Sequence, residues 1–307
     1  MRKTSLNSVY ELAKKDKRVL FIGSDLGPDV LIEMKKTMPT RFYMEGVSEQ
    51  HIIGLSAGLA LEGYIPFVNT IATFITRRCY EQVTTDLCLH KLPVRLIANG
   101  GGSVYAPLGP THLAIEDISI MRVLPNMTVI APCDANEMES MMEETLTWPY
   151  PIYIRLGKGG DEIISEKNRK FIIGKSILKI KPRNGLFIST GIMTQRAILA
   201  SKELSKEGND YGVLHVPTIK PLDKKNILNL IKSVETVITL EENVYSGGFG
   251  SSILELCADQ IPDSLYKIRR MAIPDKFPDK YGSQNELLES WGLDVPGIVK
   301  FTKNLLR

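Results

Sequence analysis

The sequence predicts an α/β protein of two consecutive domains with mainly parallel sheets. Three observations predict it. Short runs rich in Val and Ile alternate with longer segments of helical period, the pattern of parallel strands joined by helices. A length of 307 residues with 43% hydrophobic composition is enough to bury two cores. A charged, glycine-containing and weakly patterned stretch over 158–175 interrupts the alternation. Taken in order, a first strand is expected over 19–22, ending at the turn Gly23-Ser24-Asp25, then a helical stretch over 29–37 and a strand over 41–44. Residues 49–62 read as a helix whose small residues, Gly54, Ala57, Gly58 and Ala60, permit close approach of another backbone. A strand at 66–69, a helix over 78–89, strands at 94–98 and 128–131, a helix over 136–147 and a strand at 152–155 complete the first domain. The domain is placed at 1–165, a linker at 166–180 and a second domain at 181–307. There, strands at 185–189, 211–215 and 236–240 frame helices over 195–206 and 225–232. The turn Gly247-Gly248-Phe249-Gly250 then opens a helix running through Cys257.

The charge excludes some partners. The 38 basic and 35 acidic residues are spread along the chain for a net +3, so neither nucleic acid nor a membrane surface is expected, and small molecules or another protein are. Cys79, Cys88, Cys133 and Cys257 form no CxxC pair and suit a reducing compartment with buried thiols. Arg2 and Lys3 precede a largely polar stretch instead of an apolar signal core, and no run reaches membrane-spanning length. A cytoplasmic protein is expected.

Chemistry concentrates in a few segments. Gly46-Val47-Ser48-Glu49-Gln50-His51 places a carboxylate at a helix start, which taken alone is a favourable charge against the helix dipole. The same chain contains Phe74-Ile75-Thr76-Arg77-Arg78-Cys79-Tyr80-Glu81-Gln82 and Gly109-Pro110-Thr111-His112. In this order and spacing, the three segments resemble the pyrimidine-binding half of transketolases and of 1-deoxyxylulose-5-phosphate synthases. Ile219-Lys220-Pro221-Leu222-Asp223, Glu241-Glu242-Asn243 with its glycine turn, and Tyr281-Gly282-Ser283 extend the resemblance to nearly all of the chain.

The resemblance implies a thiamine-diphosphate pyrimidine-binding domain followed by a transketolase C-terminal-like domain. It implies that Glu49 hydrogen-bonds the pyrimidine nitrogen of thiamine diphosphate, which favours the imino tautomer that removes the thiazolium proton. Phe74 is implied to stack on the aminopyrimidine, with Tyr80 lining the same pocket. Asp25, at the end of the first strand, matches an aspartate near the cofactor, although a turn explains it nearly as well. His112 matches the histidine that faces substrate hydroxyl and carbonyl groups. Arg155 and Arg2 match positions that hold the sugar phosphate. His51 either lines the pocket or satisfies a local hydrogen bond.

The sequence departs from the family on the substrate side. Asp29 stands where a phosphate-binding serine is usual, Gly100 where a histidine is, and Leu108 where an aspartate is. A pentose phosphate therefore fits less well than a modified or nucleotide-linked sugar. The Gly-Asp-Gly motif and later Asn that bind the diphosphate through Mg²⁺ or another divalent ion are absent, since Gly160-Asp161 is followed by Glu162. A separate N-terminal transketolase-like subunit is expected to hold the metal, in an assembly of two copies of each chain. The reaction implied is transfer of a two-carbon ketol unit from a ketose to an aldose. A 1-deoxyxylulose-5-phosphate synthase-like decarboxylation, a 2-oxo acid dehydrogenase E1 β-type subunit and a non-catalytic interaction subunit are the alternatives.

Overall fold

Six parallel strands are the frame on which the Glu49, Phe74 and Arg155 segments hang: β1 (Val19–Gly23), β2 (Phe42–Met44), β3 (Ile65–Ile71), β4 (Arg95–Asn99), β5 (Thr128–Ile130) and β6 (Ile152–Leu156). They lie side by side in the order β5-β6-β4-β3-β1-β2. The register sets Phe21 beside Phe42 on one side and Phe67 on the other, Phe67 beside Arg95, and Arg95 beside Ile152. Every residue of β1, β4 and β6 is buried, as expected of strands covered by helices on both faces. This is why they read as unbroken apolar runs and not as alternating ones.

The computed structural model describes residues 1–24, 28–157 and 159–306. They fall into two units, Met1–Gly101 with Ile120–Ile173, and Gly102–Ser119 with Gly174–Arg307. In the second unit the strands are β7 (Ile177–Ile180), β8 (Gly185–Ser189), β9 (Tyr211–His215), β10 (Thr218–Lys220), β11 (Thr236–Val244) and β12 (Ile268–Ile273). Five of them form a sheet in the order β12-β11-β8-β9-β7, parallel except where β7 runs antiparallel to β9. The two mainly parallel α/β sheets are the fold class read from the sequence.

Three features were not visible in the sequence pattern. Residues Arg2–Lys15, outwardly polar, form a helix because Leu6, Val9, Leu12 and Ala13 all fall on one buried side. The expected helix over 78–89 is a turn at Tyr80–Gln82 that continues as a π-helix over Val83–Leu89. Residues 102–119 lie between β4 and β5 in sequence yet belong to the second unit, where Ala106, Leu113 and Ile115 join Phe187, Ile238 and Leu240 in its core. Among the described residues no helix is long and apolar enough to cross a membrane.

Candidate active site

In open parallel sheets, ligands bind beyond the carboxyl ends of the strands, where connecting backbone leaves polar groups unladdered. In the first unit those ends are polar and buried. Ser24 Oγ, just past β1, donates to Thr70 Oγ1 at 2.9 Å, and Asn99 Nδ2, ending β4, donates to Asn69 Oδ1 at 2.7 Å. Helices entered from these ends carry the candidate groups.

Glu49 follows β2 and opens the helix Glu49–Leu61, whose buried residues Ile52, Ile53, Ser56, Ala57 and Ala60 fix the helix against the unit. Its side chain is only 2% exposed, unlike a carboxylate that merely faces the helix dipole from the surface. Phe74 follows β3, on the short helix Ala72–Thr76. Arg78 joins the two. Its Nη1 donates to Glu49 Oε2 at 2.7 Å, and its guanidinium carbon lies 4.1 Å from the centre of the Phe74 ring. A flat group bearing N–H donors thus rests on an aromatic face and meets a buried carboxylate. An aminopyrimidine presents that same combination, so these residues fit the pyrimidine end of thiamine diphosphate.

Cys79, the next residue, is buried and donates its thiol to the carbonyl of Ile75 at 3.1 Å. Burial, with a smaller contribution from the Glu49 charge, pushes its thiol up to about 12 despite Arg78. All four cysteines are buried and none forms a disulfide, and burial also pushes Cys257 up to about 11. A thiol-exchange reagent at pH 8 is therefore expected to find almost no thiol in the folded chain and four after denaturation. Rapid labelling of Cys79 under native conditions would contradict this placement.

Tyr80 donates its hydroxyl to the carbonyl of Ile120 at 2.8 Å, which ties the Phe74 segment to the Asp117–Arg122 helix. Arg155, near the end of β6, is only 7% exposed. It lies against Gly101, where any Cβ would collide with its side chain, so glycine is required there for packing. Arg2 is the first residue of the N-terminal helix and is half-buried. Asp25 lies outside the described residues. His51 is 62% exposed, with its Nε2 3.8 Å from Glu45 Oε2.

His112 belongs to the second unit. It ends the turn Pro110–His112 and is half-buried, with Nδ1 2.9 Å from Thr111 Oγ1. Arg78 and Glu242 lie within the motifs singled out above, yet neither has a role that the sequence assigns. An arginine one helical turn after an aromatic was the only signal for the first, and nothing local marked the second.

The fold is that of two transketolase domains. The family descriptions that match are Transketolase, pyrimidine binding domain, over residues 1–160, and Transketolase, C-terminal domain, over residues 177–298. The chain belongs to the transketolase family. Transketolases and 1-deoxy-D-xylulose-5-phosphate synthases use thiamine diphosphate together with a divalent metal. The chain is 36% identical over 295 residues to the 1-deoxy-D-xylulose-5-phosphate synthase of Caldanaerobacter subterraneus subsp. tengcongensis, covering 95% of itself and 46% of the synthase. It spans about half the length of such curated synthases. It is 33% identical over 301 residues to the 6-deoxy-6-sulfo-D-fructose transketolase subunit SqwH of Clostridium sp., covering 98% of itself and 92% of that subunit. A solved split gene transketolase, an inactive beta4 tetramer, superposes with a TM-score of 0.88 at 29% identity, covering 99% of this chain and 96% of that one.

Proposed function

We propose that this chain is the pyrimidine-side subunit of a two-chain, thiamine-diphosphate-dependent transketolase. The observation that carries the reading is the buried Glu49 carboxylate facing a flat N–H donor stacked on Phe74. When bound, thiamine diphosphate supplies the carbon nucleophile that adds to a ketose carbonyl and retains its two-carbon fragment. The chain's own residues do the rest. Glu49 holds a proton against the ring nitrogen from a water-poor site at a helix start, and Phe74 orients the ring by its face. Nδ1 of His112 is engaged by the Thr111 hydroxyl at 2.9 Å, and Nε2 is the atom proposed to donate to the alkoxide forming on the substrate. Arg155 and Arg2 are assigned to the anionic end of the sugar, and Asp25 and Tyr80 to the cofactor's surroundings.

A separate subunit carrying Gly-Asp-Gly and a later Asn is proposed to hold the diphosphate and its divalent ion, since no such motif occurs in these 307 residues. Relatives of matching length, the SqwH subunit and the split-gene chain, support the two-chain form. We propose two copies of each chain, a cytoplasmic setting, and domains at 1–165 and 181–307. Asp29 is exposed in the turn Pro28–Leu31, and a carboxylate there repels a sugar phosphate. The donor is accordingly proposed to be a modified or nucleotide-linked ketose.

The test mixes this chain with the candidate subunit, thiamine diphosphate and Mg²⁺, then offers phosphorylated, modified and nucleotide-linked ketoses. Ketol transfer requiring both chains supports the proposal. Full activity from this chain alone would end it. A synthase-like reaction is the second reading, favoured by the 36% identity noted above. It is distinguished by decarboxylation of pyruvate in the same mixture.

Arg78 occupies the place proposed for the ring, so it has to move aside as the cofactor enters. Its side chain is 43% exposed, which keeps the ion pair and ring contact together to about 1 kcal/mol. Arg78→Ala is therefore expected to tighten thiamine diphosphate binding to the complex by about fivefold in calorimetry. Unchanged or weaker binding would mean that Arg78 does not compete with the ring.

A further inference from the structure

Residues 102–119 are a loop pinned at its base, where Gly102 and Ala114 exchange backbone hydrogen bonds of 2.9 and 3.0 Å. Farther along, the amide of Val244 donates to the carbonyl of Ile115 at 2.7 Å, and Ser119 Oγ donates to the carbonyl of Ser246 at 2.7 Å. His112 lies between these anchor points, ending a turn in which its amide donates to the carbonyl of Gly109 at 3.0 Å, next to the buried Leu113.

One carboxylate supplies further support. The β11–β12 ladder shifts register between Leu240 and Val244, so Glu241, Glu242 and Asn243 leave the regular pairing. Glu242 is 2% exposed. Its Oε1 accepts from Ser103 N at 3.0 Å, from Ser103 Oγ at 2.5 Å and from Gln284 Nε2 at 2.8 Å; Gln284 Nε2 also reaches Oε2 at 3.1 Å. Gly102 adopts φ +70°, and a Cβ there would run into this carboxylate, so the loop approaches it as closely as a backbone can. Beside the histidine turn the loop also meets the segment that leads to Gln284, where Gly109 abuts the ring of Tyr281.

We propose that Glu242 is a positioning residue for His112. Its carboxylate clamps the 102–119 loop to the start of the Gln284–Ser290 helix and thereby fixes where the imidazole stands. The proposal rests on the reading of His112 as a catalytic group. An anion is suited to the task because it accepts several N–H and O–H donors at once, with shorter and stronger bonds than a neutral acceptor makes. Glutamine has the same shape, but it turns an NH₂ group towards Ser103 or Gln284, donor against donor. An imidazole displaced by about 1 Å costs on the order of a hundredfold in rate.

Two measurements decide it. In the chain itself, Glu242→Gln is expected to speed hydrogen exchange of amides 103–113 by about tenfold or more while β8 amides exchange as before. In the reconstituted complex, the same variant is expected to lower kcat by about tenfold or more with donor KM nearly unchanged, and to add less than about twofold in a His112→Asn background. Ser103→Ala removes only the hydroxyl bond and is expected to show the same pattern at smaller amplitude, which keeps the test open should the Gln variant fold poorly. Unchanged exchange, or an equal loss of kcat with and without His112, overturns the proposal. A His112→Asn variant with wild-type kcat instead overturns the role of His112 itself, and that single variant reports it independently.

Discussion

Glu49→Gln is expected to lower turnover of the reconstituted complex by roughly 10²- to 10⁴-fold, the range typical of a positioned proton-transfer group. Cofactor affinity should change far less. The glutamine fills the same buried space at the start of the Glu49–Leu61 helix and can still donate a hydrogen bond through its NH₂ group, so the ring remains held. What it lacks is a proton that can be given and taken back. Loss in kcat with binding retained therefore separates a chemical role from a packing one. A wild-type rate in this variant would remove the catalytic assignment and with it the proposed reaction.

Arg95 carries the second large effect, on stability. It opens β4, is fully buried, and donates to the carbonyls of Thr145 at 2.5 Å, Trp148 at 2.6 Å and Tyr150 at 2.8 Å. Thr145 caps the Ala135–Glu144 helix, so the guanidinium gathers the end of that helix and the segment leading into β6. Replacing a buried charge with an apolar side chain can stabilise a protein when its partner leaves too. Here the partners are backbone carbonyls and stay. Arg95→Met is expected to cost about 3 kcal/mol or more, from acceptors left without donors. A loss of that size lowers Tm by about 6–12 °C for a unit of this length. Arg95→Lys, which keeps the charge but not the three-way reach, should fall between.

Burial lowers the Arg95 guanidinium to about 9, so it remains charged in both folded and unfolded chains at neutral pH. The folded state gives up this proton more readily than the unfolded one, so its linkage raises stability with pH only above about 9 and leaves the range from 6 to 8 flat. The thermal shift should accordingly be the same at pH 6 and pH 8. An Arg95→Met protein melting within about 2 °C of wild type would mean that the carbonyls find other donors.

The central strands of both units were legible because parallel strands buried on two faces leave short Val- and Ile-rich runs, as in 19–22 and 185–189. Strands β7, β10 and β12 were not: β7 is only partly buried and falls in the stretch read as the linker, β10 is three residues long, and Arg269 and Arg270 break the apolar pattern of β12. The helices Gln284–Ser290 and Val295–Leu305 also went unread, although a capping box at Ser283 and Glu286 and an Asp294 cap announce them. In the site, Glu49 and Phe74 were legible through motifs that place each group just past a strand. Arg78 was not assigned, since its role depends on a carboxylate 29 residues earlier in the chain. Glu242 was hidden for the same reason, its partner Ser103 lying 139 residues away.

The excursion of residues 102–119 has a bearing on how this polypeptide can be taken apart. Cut at the stretch following β6, the leading fragment would carry Ala106, Leu113 and Ile115 stripped of the neighbours they pack against, and the trailing fragment would be left with a hollow where those three side chains belonged. The two units are interlaced along the gene, so recombination at that seam yields two damaged pieces and no pair of exchangeable modules.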